Sequence, residues 1–324
     1  MTRPPRTLGF RVQSGLISVG LLAGFALVGC APPEPAWREP DESIVFGTAR
    51  EGAKKPLPEY AAVAAAYNKR LIGCDRIVAR ANIRLVYFDK QGERQVENPE
   101  GTLQIVTEDP FRPKLALSLG KAGQTLFWFG CDAERYWWLD LSDKNDRVGG
   151  VGRLALFDRP AVANGVAKQR LGLDIKPTDL IRLLGVIPLD QTGPAKLQWS
   201  RDGALLGIVT RLEGARGGGS QRLWVEPATL IPRTIELYNR TGRLVLVGEH
   251  EGLENVQITR TGIPELIGAR PRVPARVQCF HADSGSDIRL TLSGAKDGPI
   301  SDKAFSLDEL KRRLNVDRVI DFDR

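Results

Sequence analysis

Residues 222–238 read Arg222-Leu-Trp-Val-Glu-Pro-Ala-Thr-Leu-Ile-Pro-Arg-Thr-Ile-Glu-Leu-Tyr238. Two runs rich in branched and aromatic residues, near 220–226 and 232–239, flank a Glu226-Pro-Ala-Thr turn, and Asn239 to Gly242 make a second turn before a third run at 243–250. Short alternating runs separated by turn residues are the signature of hairpin-connected strands. The same period of two recurs outward. Ile83, Leu85 and Tyr87 alternate with Asn82, Arg84 and Val86, and Leu115, Leu117 and Leu119 alternate with Ala116 and Ser118. Similar runs fall near 102–108, 124–130, 134–141, 195–200, 204–212, 273–280 and 287–293, between turns such as Lys90-Gln-Gly92, Lys121-Ala-Gly123 and Arg201-Asp-Gly203. Many short strands joined by hairpins predict an antiparallel meander.

Three stretches break the period. Leu57 to Gly73 places Tyr60, Val63, Ala64, Tyr67 and Leu71 at helical intervals, with glycine just past the end. Pro177 to Gly185 is short and very apolar, with proline near its start and Asp179 in the first turn. Ser306-Leu-Asp-Glu309 fits a capping box and opens a helix through Leu310 and Leu314.

The leading residues read as an address. Arg3, Arg6 and Arg11 precede the apolar run Leu16 to Val28, with no acid, and Leu27-Val-Gly-Cys30 follows. A basic region, a short apolar core and small residues before a cut site predict a secretory signal over 1–29. The tetrapeptide resembles the lipobox of bacterial lipoproteins, which implies diacylglyceryl attachment at Cys30. The alternative is an uncleaved anchor, but the run is short against the roughly 20 residues a spanning helix needs. Ala31 in place of Asp permits outer-membrane sorting under the familiar rule for such signals. Residues 30–57, rich in proline, predict a lipidated tether that extends at about 3.1 Å per residue. Residues 58–324 are expected to form a single domain with a C-terminal helix.

Without the three leader arginines, 43 bases face 39 acids, a net charge of +4. Bases and acids interleave, with no aromatic-basic nucleic-acid signature, so nucleic acid is excluded as a partner. Cys74, Cys131 and Cys279 remain beside Cys30. Export allows one disulfide, with Cys74 and Cys131 as the candidate pair; three separately buried thiols are the alternative. No spacing fits a metal site, no cofactor motif is present, and no nucleophile elbow or P-loop occurs. His250 and His281 are the only histidines, and lone strand histidines are commonly structural. No enzymatic activity is expected.

The order of elements, with Leu115-Ala-Leu-Ser-Leu119, Leu126-Phe-Trp-Phe129, Tyr136-Trp-Trp-Leu-Asp140, the apolar helix, and above all the acid-Pro-x-Thr turn followed by Pro-Arg at 226–233, resembles the LolA/LolB-like lipoprotein-carrier superfamily. The resemblance implies an α+β fold, an unclosed antiparallel half-barrel of about eleven strands with helices in or over its concave face. It also implies shelter for acyl chains of a lipoprotein or lipid client, at a periplasm-facing membrane. Candidate groove residues are Leu117, Leu119, Phe127, Phe129, Trp137, Leu139, Trp224 and Leu237, with Leu180, Leu183, Leu184 and Val186 as a lid. The same residues could instead make a closed core. The alternative function is an envelope scaffold or sensor that binds a protein partner.

Overall fold

The long connection between residues 153 and 195 organises this molecule, because it separates two sequential runs of strand that otherwise form one sheet. The computed structural model describes residues 55–88, 93–157, 175–212, 219–282 and 286–323. The signal peptide, Cys30 and most of the tether lie outside them. The first run comprises β1 (Arg76–Phe88), β2 (Arg94–Glu97), β3 (Glu100–Val106), β4 (Lys114–Lys121), β5 (Gln124–Cys131), β6 (Arg135–Asp140) and β7 (Val148–Arg153). The second comprises β8 (Ala195–Trp199), β9 (Leu206–Leu212), β10 (Gly219–Val225), β11 (Pro232–Tyr238), β12 (Leu244–Asn255), β13 (Gln257–Ile258), β14 (Arg272–His281) and β15 (Asp287–Asp297), and β16 (Arg318–Asp321) ends the fold. The helices are α1 (Tyr60–Arg70), α2 (Pro177–Leu183) and α3 (Leu307–Leu314).

In space the order is β16-β7-β6-β5-β4-β3-β1-β15-β14-β12-β11-β10-β9-β8, with β2 on β1 and β13 on β15. Pairing of β1 with β15 joins the two runs, and the end strands β16 and β8 are not neighbours. The sheet is therefore unclosed, as expected, but two features differ. Sixteen strands are present among the described residues, not about eleven, and β16–β7 and β13–β15 pair in parallel. The extra strands are short or glycine-rich and carry little alternation. In β7, Val148-Gly-Gly-Val-Gly152, side chains added at the glycines would meet neighbours: a Cβ on Gly150 would lie 2.1 Å from Phe322 and 2.6 Å from the Trp138 indole nitrogen.

The sheet curls. α2 touches β4 and β5 on one arm and β11 on the other, which a single short helix can do only if the arms bend around it. Side-chain parity then divides the strands. Leu103, Leu117, Phe129, Trp138, Leu223, Ile235, Leu237 and Leu290 share one core with α1 and α2. The opposite face of β4 to β6 carries a second cluster, Ala116, Trp128, Trp137 and Leu139, covered by Phe305, Leu307 and Leu310. The Ser306 hydroxyl accepts from the Glu309 amide and caps α3, as its sequence requires.

Charges are buried only in company. On β10 and β11, Arg222 is 2% exposed and donates to Glu236 at 2.5 Å, while Tyr238 donates to the same carboxylate at 2.8 Å and accepts from Arg222. Asp297, fully buried, faces Arg260 at 2.6 Å, and Arg260 also reaches Asp75. Cys74, Cys131 and Cys279 are all buried free thiols, so the expected Cys74–Cys131 bridge is not formed. The register explains why. Cys131 faces Leu115, Leu115 faces Ile105, and Ile105 faces Ile77. Three strand spacings, about 14 Å, thus separate Cys131 from Ile77, and Cys74 precedes Ile77 by three residues, just before β1. The two cysteines therefore sit at strands that are not neighbours, whereas a disulfide tolerates at most about 7 Å between Cα atoms. Burial pushes the Cys74 and Cys279 thiols up to about 12.

Candidate functional site

Seven residues make α2, and six of them are buried. Pro177 occupies its first turn, where a missing N–H costs nothing, and Asp179 lies near the positive end of the helix. Gly185 ends it at φ +66, where other residues would be strained; a Cβ there would also press on Pro232 and Ile235 at 3.0 and 3.2 Å. Leu180, Leu183, Leu184 and Val186 are 6%, 0%, 2% and 1% exposed, all within the concave core. The expected lid is thus a plug. It fills the concave face instead of covering an open groove.

The groove residues separate by parity. Leu117, Phe129 and Leu237 are buried in the concave core with α2, together with Leu119, and Phe127 packs against it. Trp137 and Leu139 are corrected to the opposite face, under α3. Trp224 lies between Leu223 and Val225, which belong to the concave core, and so it too faces away and stacks on Arg222 at 5.2 Å. The inward residue of the tryptophan pair is Trp138, which sits opposite Phe129 in the β5–β6 register. Reflecting Phe129 across the two-residue turn at 133–134 gives position 138, whereas counting on by twos along the chain gives 137, so the turn length decides which tryptophan faces inward.

Polar side chains hold the plug's C-terminal end. The Tyr67 hydroxyl and the Arg70 guanidinium each donate to the Gly185 carbonyl at 2.8 Å. Asn68 exchanges two hydrogen bonds with the Leu189 main chain, at 2.9 and 2.8 Å, and Tyr60 donates to Asp190 at 2.5 Å. From the other arm, His250 on β12 sets its ring nitrogens 2.6 Å from the Leu183 carbonyl and 3.1 Å from the Pro232 carbonyl. Burial outweighs these contacts and pushes the imidazole down to about 4, and the charges of Arg70 and Arg233 act the same way. The ring is neutral near pH 7, with both nitrogens turned to main-chain oxygens. His281 is 5% exposed; residues 283–285 of its turn lie outside those described.

At the mouth, α1, residues 187–194, Pro110, Phe111, Leu212 and Gln221 line a cavity of about 520 Å³. Its rim residue Phe111 is 73% exposed. Tyr60, Asn68, Leu189 and Asp190 of the plug's bonds border this opening, which brings together the β3–β4 loop of one arm and strands β9 and β10 of the other.

No family model matches the sequence, and no curated protein matches it. Solved structures do. A protein domain from Vibrio parahaemolyticus named for outer membrane lipoprotein sorting superposes with a TM-score of 0.52 at 13% identity, over 78% of this chain and 98% of that one. A DUF1329 family protein from Desulfovibrio piger gives 0.47 at 15% identity, covering 76% and 98%, and a LolA superfamily protein from Nitrosomonas europaea gives 0.43 at 18%, covering 78% and 99%. With its unclosed sheet wrapped about an apolar helix, the chain shares the fold of the Vibrio parahaemolyticus domain.

Proposed function

We propose that this protein is a lipid-anchored binding protein of the bacterial envelope, held through Cys30 at the periplasmic face of the outer membrane. Its concave face takes an acyl chain of a lipoprotein or lipid client when α2 withdraws, and it performs no catalysis. The observation that carries this reading is the plug itself: an apolar helix surrounded by apolar sheet and held at one end by a few polar contacts. The energies are commensurate. Burying four or five large apolar side chains contributes roughly 10 kcal/mol, and burying an acyl chain of about sixteen carbons at ~0.8 kcal/mol per methylene contributes about the same. Such an exchange is reversible, as handover requires.

Locking the plug tests the reading. A Cβ at position 248 on β12 would lie 3.3 Å from the Leu183 Cβ, close to disulfide geometry. In Leu183→Cys/Gly248→Cys the oxidised protein should lose uptake of a fluorescent fatty acyl lipid, and reduction should restore it. Uptake unchanged by oxidation would sink the acyl-binding reading. The burial of six of the seven α2 residues would then favour a second one, a filled scaffold that presents its mouth and Phe111 to a protein partner.

A further inference from the structure

The loop 260–271, between β13 and β14, carries the most exposed large apolar side chain among the described residues, Ile267, at 84%. Its base is fixed. Leu266 is 8% exposed, and Leu266, Pro271 and Ile258 close around Gly73 at the end of α1, within 3.4 Å of where its Cβ would be. Only the tip projects, between Gly262 and Gly268, both at positive φ. Ile72, just past α1, is 36% exposed beside it. Lys69, Ile72, Ile267, Arg270 and Arg272 border one groove of about 290 Å³, whose only acid is Glu265. Among the described residues, Lys69, Arg270 and Arg272 have no ion-pair partner.

An apolar tip ringed by unpaired cations is matched to one kind of surface. The geometry points to this end of the molecule as a docking site for an anionic phospholipid bilayer, with Ile267 entering the headgroup boundary and Lys69, Arg270 and Arg272 lying against the phosphates. Interfacial binding combines buried apolar area with attraction to anionic lipids, and each basic residue near such a surface adds roughly fivefold to partitioning. A protein partner would be expected to offer carboxylates as well as an apolar socket, and that case is an outcome of the test. The surface borders the plug's latch at Arg70, but the inference does not depend on acyl binding or on the lipid at Cys30. A tether brings the protein near a membrane; this patch would fix which side faces it.

The test uses the full chain on vesicles of phosphatidylethanolamine with phosphatidylglycerol, and a photocrosslinking benzoylphenylalanine at position 267. A second chain carries it at 280, since Phe280 is also exposed, at 48%, but lies on β14. Tethering alone would give both positions equal phospholipid adducts. Docking should give position 267 on the order of ten times more, falling about tenfold in Lys69→Glu/Arg270→Glu/Arg272→Glu and at high salt. Equal yields at both positions would overturn the inference. So would adducts that ignore charge reversal, or that form equally on purely zwitterionic vesicles, or, in whole envelopes, adducts to a protein in place of lipid. Far-UV circular dichroism of the charge variant separates loss of docking from loss of fold.

Discussion

His250 sits between two carbonyls that belong to different parts of the fold, the end of the plug and the start of β11, and as a neutral ring with one N–H it donates to one of them at a time. Its folded pKa lies near 4 against 6.5 in an unfolded chain, with burial as the main cause. Between those values the unfolded chain holds a proton that the folded one refuses, so stability is full above pH 6.5 and declines as pH falls toward 4. Urea unfolding midpoints measured across that window should show the decline, and His250→Gln should flatten it. Gly150 is a second decisive residue. Alanine there would drive a methyl group into the Phe322 and Trp138 rings, with an expected loss of about 1–3 kcal/mol. Phe322→Ala alone leaves space, so the double variant should recover part of that loss in a denaturation cycle. A methyl group that cost nothing would mean β7 does not need its glycines.

Among the elements, α3 shows how a helix outside the curled sheet protects aromatic surface. Leu310 is fully buried against Trp137, Leu139 and Phe305. Leu310→Ala should cost about 2–5 kcal/mol and shift tryptophan emission to the red as the indoles are wetted. Ser306→Ala, which removes only the cap, should cost about 1 kcal/mol and leave the emission where it is. The same faces show what the sequence could disclose. Hairpins, α1, α2 and the α3 cap were legible because period, turn residues and caps act locally. Which of Trp137 and Trp138 points inward was not, because a strand of alternating apolar residues on both faces has no polar side to orient it. The strand covered by α3 is such a case, and Trp224 beside a buried arginine is another. Plug and lid also look alike in sequence: an apolar helix covers a cavity or fills it depending on how far the arms curl, and that depends on contacts such as α2 with β4 and β11. The latch residues Tyr67, Asn68, Arg70 and His250 lie more than sixty positions from the main-chain groups of Leu183, Gly185 and Leu189 that they face, beyond any local signal.

At the scale of the whole sheet, each run is largely a local meander, and two long-range pairings complete it: β16 on β7 at one end, and β1 on β15 at the seam between the runs. β1 meets β15 across about 200 residues of chain, with Asn82 opposite Thr291 and Ile83 opposite Leu290. Non-local pairings of this kind bear a loop-closure cost before they return any stability. The seam is therefore expected to close late. Leu290 is fully buried there, and Leu290→Ala should speed unfolding while leaving the folding rate nearly unchanged, a φ-value near zero in stopped-flow measurements. A φ-value near one would place the seam in the nucleus instead. The two cases differ in what a cell must provide. A ribosome working at about 5–20 residues per second delivers β15 roughly 10–40 seconds after β1. Throughout that delay the outer backbone of β1 has no partner of its own and can accept the β1 of another copy. The hazard then grows with the number of chains emerging at once, so yield is governed by expression rate and holdase supply more than by the equilibrium stability of the finished protein.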